Sequence, residues 1–286
     1  MSKSLLRTNM VKLMELRNFS PKTIKAYLWA VQGLAGYYRL RPDRLTAQQV
    51  QDYLYYLIKE RKLAWNTVHL AIYGIKFFFY DLLGHPKTKF YIPCPKTPKR
   101  LPVIWSPKEI AKLFSATSDL KIRTLLKTAY ATGLRLNELV HLQVGDIDSG
   151  HMTIWVRQGK GKKDRAALLT PRLLHELRIY WKSYRPRKWL FPRKGANDLF
   201  MRPESLGAKF REVKRKAGFQ REGGLHSIRH SFATHMIARG VDLLRVQKLL
   251  GHKNISTTMI YVHLAGSVVV AQTRNFDLLD LKPLKH

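Results

Sequence analysis

The second half of the chain places basic and hydroxyl side chains at short intervals. The stretch LHSIRH carries His226 and Arg229 three residues apart, which projects both from one face of a helix. The stretch LLGHKNISTTMIY adds His252 and, nine residues later, Tyr261. A guanidinium binds two phosphate oxygens through parallel hydrogen bonds, histidine moves protons, and tyrosine can attack phosphorus. These residue types are therefore the ones that breaking a phosphodiester bond without a metal requires.

Two earlier stretches add cations. In ATGLRLNELV, Arg135 begins a helix directly after Gly133, where backbone N–H groups suit an anion, and Glu138 is placed to contact Arg135 one turn later. In GKGKKD, Lys160 lies between two glycines and could protonate a leaving oxygen. Taken singly, the first stretch is more typical of an ordinary helix start with a surface arginine, and the second of a basic turn.

The C-terminal stretches also have ordinary explanations when each is taken alone. A pair such as His226 and Arg229 occurs on helices that use it only for structural hydrogen bonds. Most tyrosines at helical spacing, as Tyr261 is, are core residues. The chemistry depends on whether the five cations and the phenol come together.

The charge of the chain narrows the class of partner. The 286 residues contain 52 Lys and Arg against 19 Asp and Glu, a net charge of +33 and a pI near 10.5. Such an excess indicates a polyanion, either nucleic acid or an anionic membrane surface. No stretch approaches the roughly 20 apolar residues of a spanning helix, and the N-terminus has no secretion-signal pattern. The single cysteine, Cys94, excludes an internal disulfide framework and a Cys-rich zinc site. We expect a cytoplasmic protein that acts on nucleic acid.

The first part of the chain predicts a bundle of about four helices. Ser20 followed by Pro21 is a helix start, and Thr46 with Gln49 forms a capping box. A further helix is predicted over 66–83, ending at Gly84. We assign residues 1–92 to this basic helical domain.

A proline-rich segment follows the bundle. Four prolines lie between Tyr91 and Pro102, which excludes helix and central strand and indicates an extended connector. The linker is predicted over 93–104, and residues 105–286 form the second domain with a C-terminal tail.

The sequence of the second domain predicts mainly helices with a small β-hairpin. The predicted fold class of the whole chain is therefore α+β, mainly helical with a small hairpin or sheet. Ser106 and Glu109 form a capping box. The predicted elements are helices over 107–115, 122–132 and 134–142, strands over 151–156 and 165–169, and helix from Pro171 to the end, interrupted at 185–196.

The order of the stretches resembles that of the tyrosine recombinase family, which includes phage-type integrases and Xer-like recombinases. The chain has Arg in TGLR, Lys in GKGKKDR, His-x-x-Arg-His, Leu-Leu-Gly-His and a final Tyr, and the last three boxes are spaced by 23 and 9 residues. Ile228 replaces the leucine that is usual in the third box. The basic N-terminal bundle resembles the family's core-binding domain, so the resemblance spans most of the chain.

The resemblance implies a role for each candidate residue and requires no cofactor and no metal. By this resemblance, Arg135 and Arg229 bind the scissile phosphate, and His226 and His252 assist with hydrogen bonds and proton movement. Lys160 is the general acid for the 5′ oxygen, and Tyr261 attacks to form a 3′-phosphotyrosyl link. Lys160 is chosen over its lysine neighbours by the GKG alignment alone, and His230 is left outside the catalytic set.

The resemblance also implies the partners. These are double-stranded DNA and three further copies of the chain, with the apolar tail docked in trans. The apolar tail residues are Phe276, Leu278, Leu279 and Leu281. The ordinary alternative is a tail that folds onto its own domain.

Three other functions compete with site-specific recombination. They are a topoisomerase with the same chemistry, a DNA-binding protein of this fold without the reaction, and a basic protein of a membrane surface or ribosome. The last explains the charge and not the spacing. The catalytic boxes do not distinguish integration, excision or transposition of a mobile element from resolution of DNA multimers.

Overall fold

The computed structural model describes residues 5–87, 91–93, 101–157, 164–220 and 222–273. The chain divides into two compact units, Met1–Arg100 and Leu101–His286. Each unit is described by itself below. The domain limits that we infer from the sequence stay a prediction.

The first unit consists of helices. They are α1 (Leu5–Leu16), α2 (Pro21–Tyr38), a 3-10 turn (Pro42–Arg44), α3 (Ala47–Lys59), and α4 (Trp65–Lys76), which continues as π-helix over Phe77–Leu82. The predicted N-caps are confirmed, because the Ser20 hydroxyl accepts from the Thr23 amide and Thr46 pairs with Gln49. The buried core includes Met14, Leu34, Val50, Val68, Ile75 and Phe79.

The last helix of this unit differs from its prediction. It begins one residue earlier, at Trp65, and changes from α-helix to π-helix at Phe77. Three consecutive phenylalanines, 77 to 79, are all buried. A regular α-helix turns consecutive side chains about 100° apart, and the wider π-turn accommodates such a run. Gly84, with a φ of +72°, follows the end of the helix.

The second unit is also mainly helical, with two small antiparallel sheets. Its helices are α5 (Pro107–Ser115), α6 (Leu120–Thr132), α7 (Leu136–Val140), α8 (Pro171–Tyr184), α9 (Pro203–Lys216), α10 (Leu225–Ala238), α11 (Leu243–Leu250) and α12 (Ser256–Thr273). The strands are β1 (Ile147–Asp148), β2 (Thr153–Val156), β3 (Arg165–Leu168), β4 (Pro192–Arg193) and β5 (Ala196–Phe200). One sheet has the order β1-β2-β3, with Val156 opposite Arg165, and β4 pairs with β5.

The predicted hairpin and the helix starts at Pro107 and Pro171 are confirmed, whereas α6 begins at Leu120, two residues before its predicted start. Three further features differ from the prediction. The predicted helix 134–142 is the single turn α7, because Gly133 in the left-handed conformation ends α6 and Arg135 is the next N-cap. Strand β1, at Ile147–Asp148, was not predicted. The predicted interruption at 185–196 contains strand β4 and extends through β5 to Phe200, and the Trp189 indole there donates to the Asp198 carbonyl at 3.0 Å.

Three parts of the sequence-based prediction lie outside the described residues. They are most of the predicted linker (94–100), Lys160 with its glycine-rich loop, and the tail with Phe276, Leu278, Leu279 and Leu281.

Candidate active site

Arg229 on α10 is the centre of the candidate site. Only 4% of this residue is exposed. Its Nη1 donates to the Gly133 carbonyl at 2.6 Å, and its Nη2 donates to the Leu250 carbonyl at 2.7 Å and to His252 Nε2 at 3.0 Å. Both carbonyls lie at helix C-termini, where the partial negative charge favours a cation. These acceptors compensate for the burial that lowers the pKa of Arg229 to about 10.

Two glycines permit this close approach of helix ends. Gly133 and Gly251 have φ values of +61° and +64°. A Cβ atom at Gly133 would collide with the ring of Phe232, and one at Gly251 would lie 2.5 Å from Nε of Arg165. The TGLR and LLGH stretches therefore need glycine for conformation and for space.

Arg135 is held by a buried carboxylate. Glu138 accepts from the backbone N–H of Arg135 at 2.9 Å and from its Nη1 at 2.8 Å, and only 5% of the Glu138 side chain is exposed. The predicted contact between these residues is confirmed. Nη2 of Arg135 donates to the Gly251 carbonyl at 3.3 Å, which directs this guanidinium toward the same helix ends that bind Arg229.

Arg165 is a third guanidinium at the site, and we did not predict it. It begins β3, and its Nη2 donates to Glu138 Oε2 at 2.9 Å. Burial lowers the pKa of Arg165, and Glu138 opposes that effect. Within the described residues its Nε and Nη1 have no acceptor. The sequence feature that could have indicated Arg165 is its position directly after GKGKKD, because the two ends of a hairpin loop lie close together.

His252 is fixed in one tautomer by its two partners. A guanidinium can only donate, so Nε2 of His252 accepts from Arg229. The proton therefore lies on Nδ1, which donates to the Thr258 hydroxyl at 2.8 Å. Burial, followed by the nearby arginines, lowers the pKa of His252 to about 4, so the ring is neutral at pH 7.

Tyr261 is buried beside this cluster. It lies on α12, which packs against α10, and 2% of it is exposed. Its hydroxyl oxygen lies 2.8 Å from Nδ1 of His230, and its ring stacks on His252. Burial raises the pKa of Tyr261, while Arg229 and Arg135 act to lower it. The phenol is thus held within the electrostatic field of both guanidinium groups.

His230 and His226 complete the cluster on α10. Burial, followed by His226 and Arg229, lowers the pKa of His230 to about 4. His226 lies one turn earlier and is exposed; loss of hydration around its ring, followed by Arg229 and Arg135, lowers its pKa. His230 was left outside the predicted catalytic set, although its position next to Arg229 was a signal.

The structure therefore brings together five of the six predicted residues. They are Arg135, His226, Arg229, His252 and Tyr261. Among the described residues, no group of three His, Cys, Asp or Glu side chains is arranged to hold a metal ion.

Comparison with known proteins identifies the family. Residues 105–267 match the phage integrase family, and residues 6–88 match the N-terminal SAM-like domain of phage integrases. The chain belongs to the phage integrase family. This integrase is 39% identical to the integrase/recombinase y4qK of Sinorhizobium fredii, over 96% of this chain and 89% of that protein. It is 32% identical to tyrosine recombinase XerA of Pyrococcus horikoshii, over 87% of this chain and 85% of that protein.

The fold of this integrase is shared with solved structures. A lambda integrase tetramer bound to a Holliday junction matches with a TM-score of 0.72 at 18% identity, covering 90% of this chain and 76% of that one. The predicted fold class, a helical N-terminal domain and a catalytic domain with small sheets, is confirmed. So is the predicted class of enzyme, a tyrosine recombinase that exchanges DNA strands. None of the helices in the described part of the chain combines the length and apolar character that crossing a membrane takes.

Proposed function

We propose that this integrase cuts and rejoins DNA at specific sites through a covalent bond between Tyr261 and a 3′ phosphate. The observation that carries the proposal is the buried hydroxyl of Tyr261, held 2.8 Å from His230 in the field of Arg229 and Arg135. A tyrosine that served only the core would need no buried cations beside it.

The hydrogen bonds of the arginines leave donors for a phosphate. Within the described residues, Arg229 uses three of its five N–H bonds, for two carbonyls and for His252. Arg135 uses one for Glu138 and one for Gly251. The remaining N–H groups bind the non-bridging oxygens of the scissile phosphate. They stabilise the charge that develops on those oxygens as phosphorus becomes five-coordinate.

The other residues move protons or orient the arginines. The Tyr261 oxygen attacks phosphorus, the bond to the 5′ oxygen breaks, and Lys160 protonates that oxygen. His226 donates to the phosphate, and His252 orients Arg229 through the contact at 3.0 Å. A 5′ hydroxyl from another strand reverses the reaction. The bond energy is retained in phosphotyrosine, so the reaction needs no ATP.

We further propose the assembly and its setting. Four copies of the chain act on double-stranded DNA in the cytoplasm, and the tail of each docks on a neighbour. The net charge of +33 suits a DNA partner, and the lambda integrase structure is a tetramer on a Holliday junction. The reaction integrates, excises or transposes a mobile element, or resolves DNA multimers.

The test is capture of the covalent complex. The full chain is incubated with sheared genomic DNA of its source, stopped with detergent, and the DNA in covalent complexes is sequenced. A duplex carrying that sequence, nicked next to the cleavage position, then traps the adduct.

We expect Tyr261→Phe to bind this duplex and form no adduct. Tyr130→Phe is the matched control, because Tyr130 also contacts a histidine, His235, at 2.8 Å; it should form the adduct normally. An adduct formed by Tyr261→Phe would refute the proposal.

Two further assays separate the alternatives. Exchange between two DNA molecules that carry the site supports recombination, whereas relaxation of a supercoiled circle with a single site and no exchange supports a topoisomerase. Removing residues 275–286 should abolish assembly of paired sites and keep binding to a single one. Unchanged assembly would mean that the tail folds onto its own domain.

A further inference from the structure

We propose that His230 is the general base that takes the proton of Tyr261 when its oxygen attacks phosphorus. This inference rests on the proposed function of Tyr261. It adds a catalytic residue on the nucleophile side of the reaction.

The geometry places a proton acceptor on the reacting atom. Nδ1 of His230 lies 2.8 Å from the Tyr261 oxygen, within the range of proton transfer. The lowered pKa of His230, about 4, keeps the ring neutral at pH 7, so a nitrogen lone pair is available. The negative charge of a bound phosphate acts to raise this pKa, toward the range in which a general base is effective. With Nδ1 as acceptor, the resting proton of the ring is on Nε2.

The other candidate bases are engaged elsewhere. His252 stacks on the Tyr261 ring, but its Nε2 accepts from Arg229 and its Nδ1 donates to Thr258. Glu138 already accepts three hydrogen bonds, from Arg135 and Arg165. A carboxylate bound to two guanidiniums is a poor base, because both cations favour its charged form.

The step balances without any further reactant. The O–H bond of Tyr261 breaks and its proton moves to Nδ1 of His230, while the phenol oxygen bonds to phosphorus. The bond from phosphorus to the 5′ oxygen breaks, and that oxygen receives its proton from the general acid, proposed as Lys160. The negative charge of the phosphate stabilises the imidazolium that forms beside it. When the strand is rejoined, His230 returns the proton to the departing phenol.

His230→Asn separates a base from a positioning group. The asparagine amide reaches the position of Nδ1 and can keep the hydrogen bond to Tyr261, but it does not take up a proton at pH 7. The measurement is the single-turnover rate of adduct formation on the nicked duplex, with melting temperature and DNA affinity checked for each variant. We expect a loss of about 10²- to 10⁴-fold, the usual contribution of a general base. His230→Gln, whose amide reaches the Nε2 position, is a second variant with the same expected loss.

The matched control is His235→Asn at the Tyr130 pair, which should keep the rate within about twofold of the wild type. A rate close to the wild type for His230→Asn would overturn the proposal, because a hydrogen bond alone would then suffice. Tyr261→Phe is measured in the same assay. If it forms no adduct while His230→Asn reacts at the wild-type rate, the assignment of Tyr261 as nucleophile stands and only the assignment of His230 as base is refuted.

A second substrate tests which proton is involved. In a duplex with sulfur in place of the bridging 5′ oxygen, the leaving group departs without being protonated. We expect this substrate to restore the rate of adduct formation of Lys160→Ala and to leave that of His230→Asn low. Restoration of His230→Asn would assign His230 to the leaving group and contradict the proposal.

Discussion

Helix α10 carries two histidines that each contact the hydroxyl of a tyrosine. His230 contacts Tyr261 and His235 contacts Tyr130, both at 2.8 Å. In each pair burial raises the pKa of the tyrosine and lowers that of the histidine. By hydrogen bonding alone, the two pairs are the same.

The pairs differ in the charges around them. Tyr261 lies near Arg229, whose guanidinium is buried and fixed by two helix-end carbonyls. The cation that acts to lower the pKa of Tyr130 is Arg239, which is exposed, and Tyr130 borders a cavity of about 550 Å³. A buried charge acts through a low dielectric and an exposed one is screened. On the proposed function, a Tyr–His contact serves a nucleophile only where fixed cations can bind the phosphate, as Arg229 does beside Tyr261.

Among changes outside the two Tyr–His pairs themselves, replacing the buried Arg229 should have the largest effect. In Arg229→Lys, a single ammonium cannot replace the planar group that reaches two carbonyls and His252. We expect adduct formation to fall by about 10²- to 10³-fold, the cost of losing a donor to the transition state. Arg239→Lys, the corresponding change near Tyr130, should leave the single-turnover rate unchanged. If Arg229→Lys forms the adduct as fast as the wild type, the buried guanidinium does not distinguish the Tyr261 pair from the Tyr130 pair.

The next effect comes from the carboxylate that holds the arginines. Glu138→Gln leaves the Arg135 and Arg165 guanidiniums without a counter-charge. We expect a lower melting temperature and adduct formation slower by about 10- to 100-fold, as when a group that orients a ligand is lost. Glu176→Gln is the control, because Glu176 pairs with Lys127 at the cavity beside Tyr130. Equal rates for the two variants would remove Glu138 from the site.

The smallest effect is expected from the Thr258 hydroxyl. Thr258→Val removes the acceptor that fixes the tautomer of His252. One lost hydrogen bond of about 1–1.5 kcal/mol corresponds to a rate roughly tenfold lower, and Thr258→Ser should restore it. Thr234→Val is the control, because within the described residues the buried Thr234 hydroxyl has no partner. If serine fails to restore the rate, the methyl group and not the hydroxyl is what His252 needs.

The sequence predicted the features that depend on near neighbours. The capping boxes at Thr46 and Ser106 and the contact of Arg135 with Glu138 each join residues three positions apart. Helix geometry alone decides such contacts.

Contacts between distant parts of the chain were not predicted. Tyr261 and His230 are 31 residues apart, and Arg165 and Glu138 are 27 apart. Which of two neighbouring α10 residues, Arg229 or His230, faces the phenol depends on how α12 packs, and local patterns do not determine that packing. The order of the boxes supplied the family because it reflects the whole site and not any one contact.

The most direct test of the central claim is to locate the DNA on the protein. The trapped adduct is treated with nuclease and trypsin, and the peptide that carries a nucleotide is sequenced by mass spectrometry. The chain has 13 tyrosines; trypsin separates Tyr261, in peptide 254–274, from Tyr130, in peptide 128–135. We predict that the nucleotide is on Tyr261. A nucleotide on Tyr130, or on any other side chain, would contradict the assignment of the buried cations to a nucleophile at 261.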